Sequence, residues 1–382
     1  MTRSRARVLI WVHRLGGVAG QTGVGRYARE LIAGLASAHR GELDVRVGSC
    51  RGDEVDRPSW LPADVPLHRL AVPRAAVHAG WLLSPWPRVE WGSGPADLVH
   101  ATYPSFPVRS AAPVVYTFHD LLPITNPEWY GSLERRGFAA CLAAAKARSP
   151  LTLTNSEHTR GQLCERAGFD PARVRAVPMG IAGRFVEPAD ASAVAAAREG
   201  VGVRGRYVVQ LGAVAARKNP VLSVEALAQP GCPEDLELVF AGPDGGACEQ
   251  VRGAAERLGV AGRVHLAGYV DDRPLVALLQ GAQALVHPSS DEGFGFTPLE
   301  AMAAGVPAMV AGTGALPETV GDAALVIDSA TPDAWAAALA RIDDVPTMTK
   351  LREAGRERAA TFTWDRHVDQ VVDAYRTVVG RV

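Results

Sequence analysis

Residues 286–321 read VHPSSDEGFGFTPLEAMAAGVPAMVAGTGALPETVG, and this stretch decides the fold. It opens at the end of an apolar run, Ala284-Leu285-Val286, which predicts a buried parallel strand. A loop follows, built from Pro288, Ser289, Ser290, Asp291, Glu292, Gly293 and Gly295. Thr297-Pro298-Leu299-Glu300 then opens a helix: Thr297 suits the N-cap, Pro298 the first helical position, and Glu300 falls three residues after the cap. Gly305 and Pro307 end that helix. A glycine-rich loop thus meets a helix N-terminus at the carboxyl end of a strand, where backbone N–H groups and the positive end of the helix dipole suit an anion such as a diphosphate. Glu292 and Glu300 bracket that site. Carboxylates fit beside phosphate if the ligand also carries hydroxyls, from which they accept hydrogen bonds. Read locally, Glu300 is either the return half of a capping box or a ligand-facing group. Glu292 is either a solvated loop carboxylate or a second such group.

Working outward, residues 207–212 form another buried strand, and Arg217-Lys218-Asn219-Pro220 stands at the start of the helix behind it. Two adjacent cations at a helix N-terminus oppose its dipole. An anion between them removes the conflict, each charge-assisted hydrogen bond contributing roughly 1.5–3 kcal/mol. Residues 236–240 and 264–270 read as strands. Asp271-Asp272 precedes a helix over 273–282 and reads as N-cap chemistry, not as a metal-binding pair. No His/Asp/Glu cluster shows metal-ligand spacing, so no metal is expected. Downstream come a strand at 324–327, a helix at 332–341 and a last helix at 366–379, capped by Phe362-Thr363-Trp364-Asp365.

The N-terminal half repeats the alternation. Residues 7–12 are a strand, Gly16, Gly17, Gly20, Gly23 and Gly25 form a dense turn, and Tyr27, Leu31 and Leu35 share one face of a helix. Strand, glycine loop and helix make the phosphate-approach unit of a Rossmann-like domain. The glycine spacing fails as a dinucleotide fingerprint, which disfavours a dehydrogenase. Short strands are expected at 43–47 and 65–70. Trp81, Trp86 and Trp91 recur at five-residue spacing beside prolines, as loop packing, an acceptor-side wall or a peripheral membrane contact. A strand at 97–100 leads to Tyr103, and one at 114–118 ends in His119-Asp120. Ligands of open α/β sheets bind at such carboxyl ends. His119 is either a packed loop histidine or a site residue, and Asp120 either holds it or caps a turn. Helices at 132–148 and 157–167 flank a strand and loop at 151–156; residues 174–181 close the first domain, and the alanine-rich stretch 188–205 crosses to the second.

At 382 residues the chain fits two domains, read as 1–185 and 186–361 with a terminal helix at 362–382. Hydrophobic residues make up 47% and charged residues 21%, a globular balance, and the net charge of −1 argues against a nucleic-acid partner. Five dispersed cysteines fit reduced thiols and a cytoplasmic location. Neither a signal peptide nor an apolar run of about 18 residues is read.

The segment EGFGFTPLE, with AMAAGVPAMVA and LPETVGDAALVID after it, resembles the C-terminal half of the retaining GT-B glycosyltransferases of family GT4, whose pattern is a Glu, seven residues and a Glu. RKN at 217–219, GVGRY at 23–27 and the HD step at 119–120 extend the resemblance over nearly the whole chain. It implies an α/β GT-B fold: two Rossmann-like domains facing across a cleft, an acceptor-binding N-terminal one and a nucleotide-sugar-binding C-terminal one, with the last helix crossing back to the first. It implies that Arg217 and Lys218 hold the diphosphate, Glu292 faces the donor sugar, Glu300 the ribose, and His119 touches the sugar. Gly23, Gly212, Tyr269, Val270, Gly293, Phe294, Gly295, Phe296 and Thr297 would complete the donor site, and Gly17, Tyr103 and Asp120 the acceptor side. Phe296-Thr297 departs from the small or aliphatic residue and Pro usual among similar members, which alters the shape beside the donor sugar.

The expected reaction moves a hexosyl group from a UDP- or GDP-sugar to an acceptor hydroxyl with retention, by front-face attack, needing no cofactor or metal. The alanine-, arginine- and glycine-rich composition resembles antibiotic producers of high GC content, which points to a small-molecule acceptor such as an aminocyclitol. Cell-wall or polysaccharide assembly, a same-fold epimerase or phosphorylase, and a sugar-nucleotide sensor are the other readings.

Overall fold

Two runs of β–α alternation build two separate parallel sheets. The computed structural model describes residues 5–13, 23–51 and 57–380. The chain divides into two compact units, Met1–Gly180 with Trp364–Val382, and Ile181–Thr363.

Unit 1 contains β1 (Ala6–Trp11), β2 (Leu43–Arg51), β3 (Leu67–Pro73), β4 (Leu98–Ala101), β5 (Val114–Phe118), β6 (Thr152–Thr154) and β7 (Val174–Ala176). Their order across the sheet is β3-β2-β1-β4-β5-β6-β7, every neighbouring pair parallel. Unit 2 contains β8 (Arg206–Leu211), β9 (Leu236–Ala241), β10 (Val264–Gly268), β11 (Ala284–His287), β12 (Ala308–Ala311) and β13 (Leu325–Ile327), in the order β10-β9-β8-β11-β12-β13, also parallel throughout. Central strands covered on both faces need unbroken apolar runs. β9, LELVFA, is buried at every position, as are Val8, Leu9 and Ile10 of β1. In each sheet the strand order reverses once, between β1 and β4 and between β8 and β11. The crevices outside those carboxyl ends are where such sheets bind ligands.

The last helix, Trp364–Val379, belongs to unit 1 and lies along the Gly23–Ala38 helix. Gly34 permits the approach: a Cβ there would stand 2.5 Å from Val368 Cγ2. The Glu157–Glu165 helix begins at Ser156, whose Oγ accepts from Thr159 N–H at 3.1 Å.

Several local expectations are corrected. Thr297 is not the cap of its helix, which spans Phe296–Ala303 behind an N-cap Gly295 that is left-handed at φ 99°, with no side-chain cap bond. Arg217 and Lys218 lie in a 3-10 turn, Ala216–Lys218, and left-handed Asn219 separates them from the Pro220–Leu227 helix, so they do not sit in that helix's first turn. Asp271 occupies an N-cap position without a side-chain cap bond, while Asp272 pairs with Arg184 at 3.5 Å. Trp81 is not in a loop: it is buried in the helix Arg74–Leu83, with its indole N–H on the Pro87 carbonyl at 2.6 Å, whereas Trp86 and Trp91 are exposed. The helix Val345–Ala360 was not anticipated, because its buried side is Met348, Leu351, Gly355 and Ala359, too small a set for a clear apolar period.

Candidate functional site

Unit 2 gathers its polar groups at the β8/β11 reversal. β8 ends in Gly212, held at φ 93°. Beside it, the Lys218 ammonium donates to the Leu211 carbonyl at 2.9 Å, while its own carbonyl accepts from Gln210 Nε2 at 2.8 Å, and Ser223 Oγ in turn donates to Gln210 Oε1 at 2.8 Å. A Cβ on Gly212 would stand 2.4 Å from Lys218 Nζ, so only glycine leaves that ammonium its place.

From β11 the chain passes through His287 into the loop 288–295. This loop is clamped from two sides. Ser290 donates to the Arg217 carbonyl through both N–H and Oγ, each at 2.9 Å, and Arg217 Nη1 returns a bond to the Asp291 carbonyl at 2.8 Å. Opposite, Thr313 Oγ1 donates to the Ser289 carbonyl at 2.7 Å and Ala315 N–H to the Glu292 carbonyl at 2.8 Å.

The Glu292 carboxylate is the centre of the cluster. Its Oε1 lies 2.7 Å from Arg217 Nη1, 3.0 Å from Ser289 Oγ and 3.3 Å from His287 Nε2. All three contacts fall on one oxygen. Burial works to raise its pKa, but the His287 hydrogen bond and the charges of Arg217 and Lys218 outweigh it and hold the carboxyl well below its usual range. Burial lowers the pKa of His287 as well, with its hydrogen bond to Glu292 opposing the shift. Burial also lowers Lys218, against the pull of Glu292. The expected conflict with a helix dipole does not arise, because both cations lie outside the first turn of the Pro220–Leu227 helix, and Arg217 is paired with Glu292 within the chain. The solvated-loop reading of Glu292 fails by that pairing.

Gly293, Phe294, Gly295, Phe296 and Thr297 continue this loop into the helix, with Phe294 and Phe296 edge to face at 5.3 Å. Thr319 Oγ1 bonds the Phe294 carbonyl. Glu300 is buried inside the helix. Tyr269 and Val270 follow β10, two strands away on the sheet edge, and Tyr269 is exposed.

In unit 1, His119 follows β5. Its Nε2 is 2.9 Å from the Thr102 carbonyl, so that nitrogen carries the proton and Nδ1 the lone pair. Burial lowers its pKa to about 4, the carbonyl bond opposing, so it is neutral near pH 7. Asp120 Oδ1 accepts from Leu122 N–H at 3.0 Å, which is turn capping. Tyr103 tilts against His13 at 5.5 Å, and His13 stacks on His78 at 5.3 Å. Gly23 opens its helix at an exposed position; Gly17 lies outside the described residues. The sequence reading missed His287 and Ser289. Their position at the end of β11, the same rule that selected His119, was the available signal. Among the described residues no group of three or more His, Cys, Asp or Glu is arranged to hold a metal ion.

Comparison with known proteins identifies relatives of this chain. The family model described as glycosyl transferases group 1 matches residues 193–359, and that of glycosyltransferase family 4 matches residues 21–182. The chain is similar to a D-inositol 3-phosphate glycosyltransferase of Acidothermus cellulolyticus, 30% identical over 339 residues, covering 84% of this chain and 74% of that protein. It is 27% identical to the O-antigen chain mannosyltransferase B of Escherichia coli, over 93% of this chain and 96% of that one. Among solved structures, Anabaena Alr3699/HepE in complex with UDP and glucose superposes with a TM-score of 0.75 at 18% identity, covering 98% of this chain and all of that one. WaaG, a glycosyltransferase involved in lipopolysaccharide biosynthesis, gives 0.74 at 22%, over 96% and 99%.

Proposed function

Because the chain belongs to glycosyltransferase family 4, with the GT-B fold, and is a glycosyl-transferring enzyme, we propose that it moves a hexosyl group from a UDP- or GDP-sugar to a hydroxyl of a polyhydroxylated ring, with retention and without a metal. The observation that carries this reading is the arrangement of Arg217, Lys218 and Glu292 at the β8/β11 reversal. Two adjacent cations, one on the Glu292 carboxylate and one on the Leu211 carbonyl, suit a diphosphate. The Glu292 carboxylate is fixed through Oε1, so its Oε2 is the atom to accept hydrogen bonds from sugar hydroxyls.

In this mechanism the bond from C1 of the sugar to the β-phosphate oxygen breaks, and its electron pair leaves with the phosphate. Arg217, Lys218 and the amides after Glu292 stabilise that growing charge; preorganised donors of this kind are usually the largest catalytic term. The acceptor oxygen attacks C1 from the same face, and its proton passes to the departing phosphate oxygen. His119 accepts a hydrogen bond from a sugar hydroxyl at Nδ1. Within unit 2, Glu300 binds the ribose hydroxyls, and Tyr269 and Val270 lie against the base. Tyr103 lies on the acceptor side. A cyclitol or sugar acceptor is in keeping with the names of the two relatives, a D-inositol 3-phosphate glycosyltransferase and an O-antigen chain mannosyltransferase, and an aminocyclitol belongs to the same chemical class as inositol.

The test is incubation with UDP- and GDP-hexoses and a panel of cyclitols, cyclitol phosphates and oligosaccharides, with NMR assignment of the product anomer. An α-linked product from an α-donor, formed equally in excess EDTA, is expected. An inverted anomer, or activity lost in EDTA and restored by magnesium or manganese, overturns the mechanism. Conversion of donor without any acceptor would instead mark an epimerase.

A further inference from the structure

Behind His119, unit 1 buries an unusual number of polar rings. Tyr27, one turn into the Gly23–Ala38 helix, sets its ring perpendicular to His119 (centroids 4.8 Å, 77°) and to His367 (5.4 Å, 80°), so it stands against both. The Tyr27 hydroxyl is 3.0 Å from Thr117 Oγ1, which is 2.7 Å from His100 Nε2; His100 Nδ1 is 2.6 Å from the Tyr375 hydroxyl. His367 and Tyr375 lie two turns apart on the buried face of the Trp364–Val379 helix. His367 Nδ1 is 2.9 Å from the Pro178 carbonyl and donates to it. All six of these side chains are buried.

The three links can be donated in either direction, from Tyr375 through His100 and Thr117 to Tyr27 or the reverse, with the opposite His100 tautomer. Either way Tyr27 is held from its far end while its ring packs at right angles to His119, whose Nε2 is held by the Thr102 carbonyl. Burying this many polar groups is costly, and His367 Nε2 is buried without a hydrogen-bond partner; the groups that are linked favour one geometry. An apolar filling would serve packing alone equally well.

We infer that Tyr27 and His367 are positioning residues for His119, and that the Trp364–Val379 helix is the element that holds its imidazole in the plane the reaction needs. The inference rests on the role given to His119 above. It also ties the first turn of the Gly23–Ala38 helix to that imidazole, through Tyr27.

The experiment compares wild type, Tyr27→Leu, Tyr27→Phe and Tyr375→Phe at a temperature well below each variant's Tm, measuring kcat and KM for both substrates. Tyr27→Leu should lower kcat by about tenfold to a hundredfold with both KM values within about twofold, as a small misplacement of a reacting group does. Tyr27→Phe, which keeps the ring edge, should recover most of that loss. Equal kcat in wild type and Tyr27→Leu overturns the proposal, as does a Tyr27→Phe no better than Tyr27→Leu. Should Tyr27→Leu not fold, Tyr375→Phe decides: it removes one hydroxyl and almost no volume. A fall in kcat of about threefold to tenfold at constant KM supports the chain, and an unchanged kcat overturns it. A wild type that transfers no sugar would instead defeat the function itself.

Discussion

Lys218 and Arg217 differ in how they await an anion. Arg217 already shares Nη1 between the Glu292 carboxylate and the Asp291 carbonyl, whereas Lys218 rests on a neutral backbone carbonyl. Lys218→Ala should therefore be the cleaner probe. Turnover should fall about tenfold to a thousandfold, the cost of losing one oxyanion donor; near-normal turnover would remove Lys218 from the mechanism. Arg217→Ala also strips Glu292 of its nearest cation and mixes two effects. Gly212→Ala tests the same ammonium from the backbone side. Its new methyl group would occupy the space of Nζ, and its φ of 93° costs a non-glycine residue roughly 1–2 kcal/mol. Reduced turnover together with a lower Tm is the expected pair, and full turnover would show that the ammonium can move without harm.

At the level of elements, the helix after Glu292 starts by backbone geometry, not by a side chain. Gly295→Ala should destabilise the protein by about 1–2 kcal/mol or more, since it adds a left-handed penalty and places a Cβ 2.9 Å from Leu316 Cδ2. Thr297→Ala should cost less than about 0.5 kcal/mol, where a true N-cap would cost about 1. Urea titration distinguishes the two, and a large Thr297 effect would restore the capping box. This helix shows how far the sequence could be read. Unbroken apolar runs such as 207–211 and 284–286 marked the sheet strands, because burial on both faces leaves little choice of residue. The cap was misplaced because Thr-Pro-x-Glu satisfies the local rules, whereas the helix begins at Phe296 behind left-handed Gly295, in a loop held from outside by Thr319 Oγ1 on the Phe294 carbonyl. The positions of Arg217, Lys218 and Glu292 were legible as a set of charges. Their pairing was not, since 74 residues separate Arg217 from the Asp291 carbonyl it bonds, and no local rule spans that distance. The Tyr27–His100–Tyr375 chain was hidden for the same reason, its longest link crossing 275 residues.

For the whole molecule, the buried histidines set a pH limit. Burial lowers His100 to about 3 and His119 and His367 to about 4, with the charge of neighbouring histidines adding to the effect at His100. Unfolded, each titrates near 6.5. Between about pH 6.5 and 4 the unfolded chain thus binds more protons than the folded one, so stability is complete above that window and falls as pH drops through it. Each histidine contributes a slope of up to about 1.4 kcal/mol per pH unit. Thermal melts from pH 7.5 to 4.5 should show Tm declining below about 6.5, and His367→Gln should flatten the slope; a flat profile in wild type would mean these groups are protonated in place. The division of unit 1 into Met1–Gly180 and Trp364–Val382 has a consequence for biosynthesis. A ribosome translating this message makes all of unit 2 before it makes the residues that cover Tyr27 and His100. The nascent N-terminal sheet must wait, with one flank uncovered, until the Trp364–Val379 helix emerges. Chaperone capture in that interval, and rapid proteolysis of any product truncated near residue 363, follow from the order in which the chain is made.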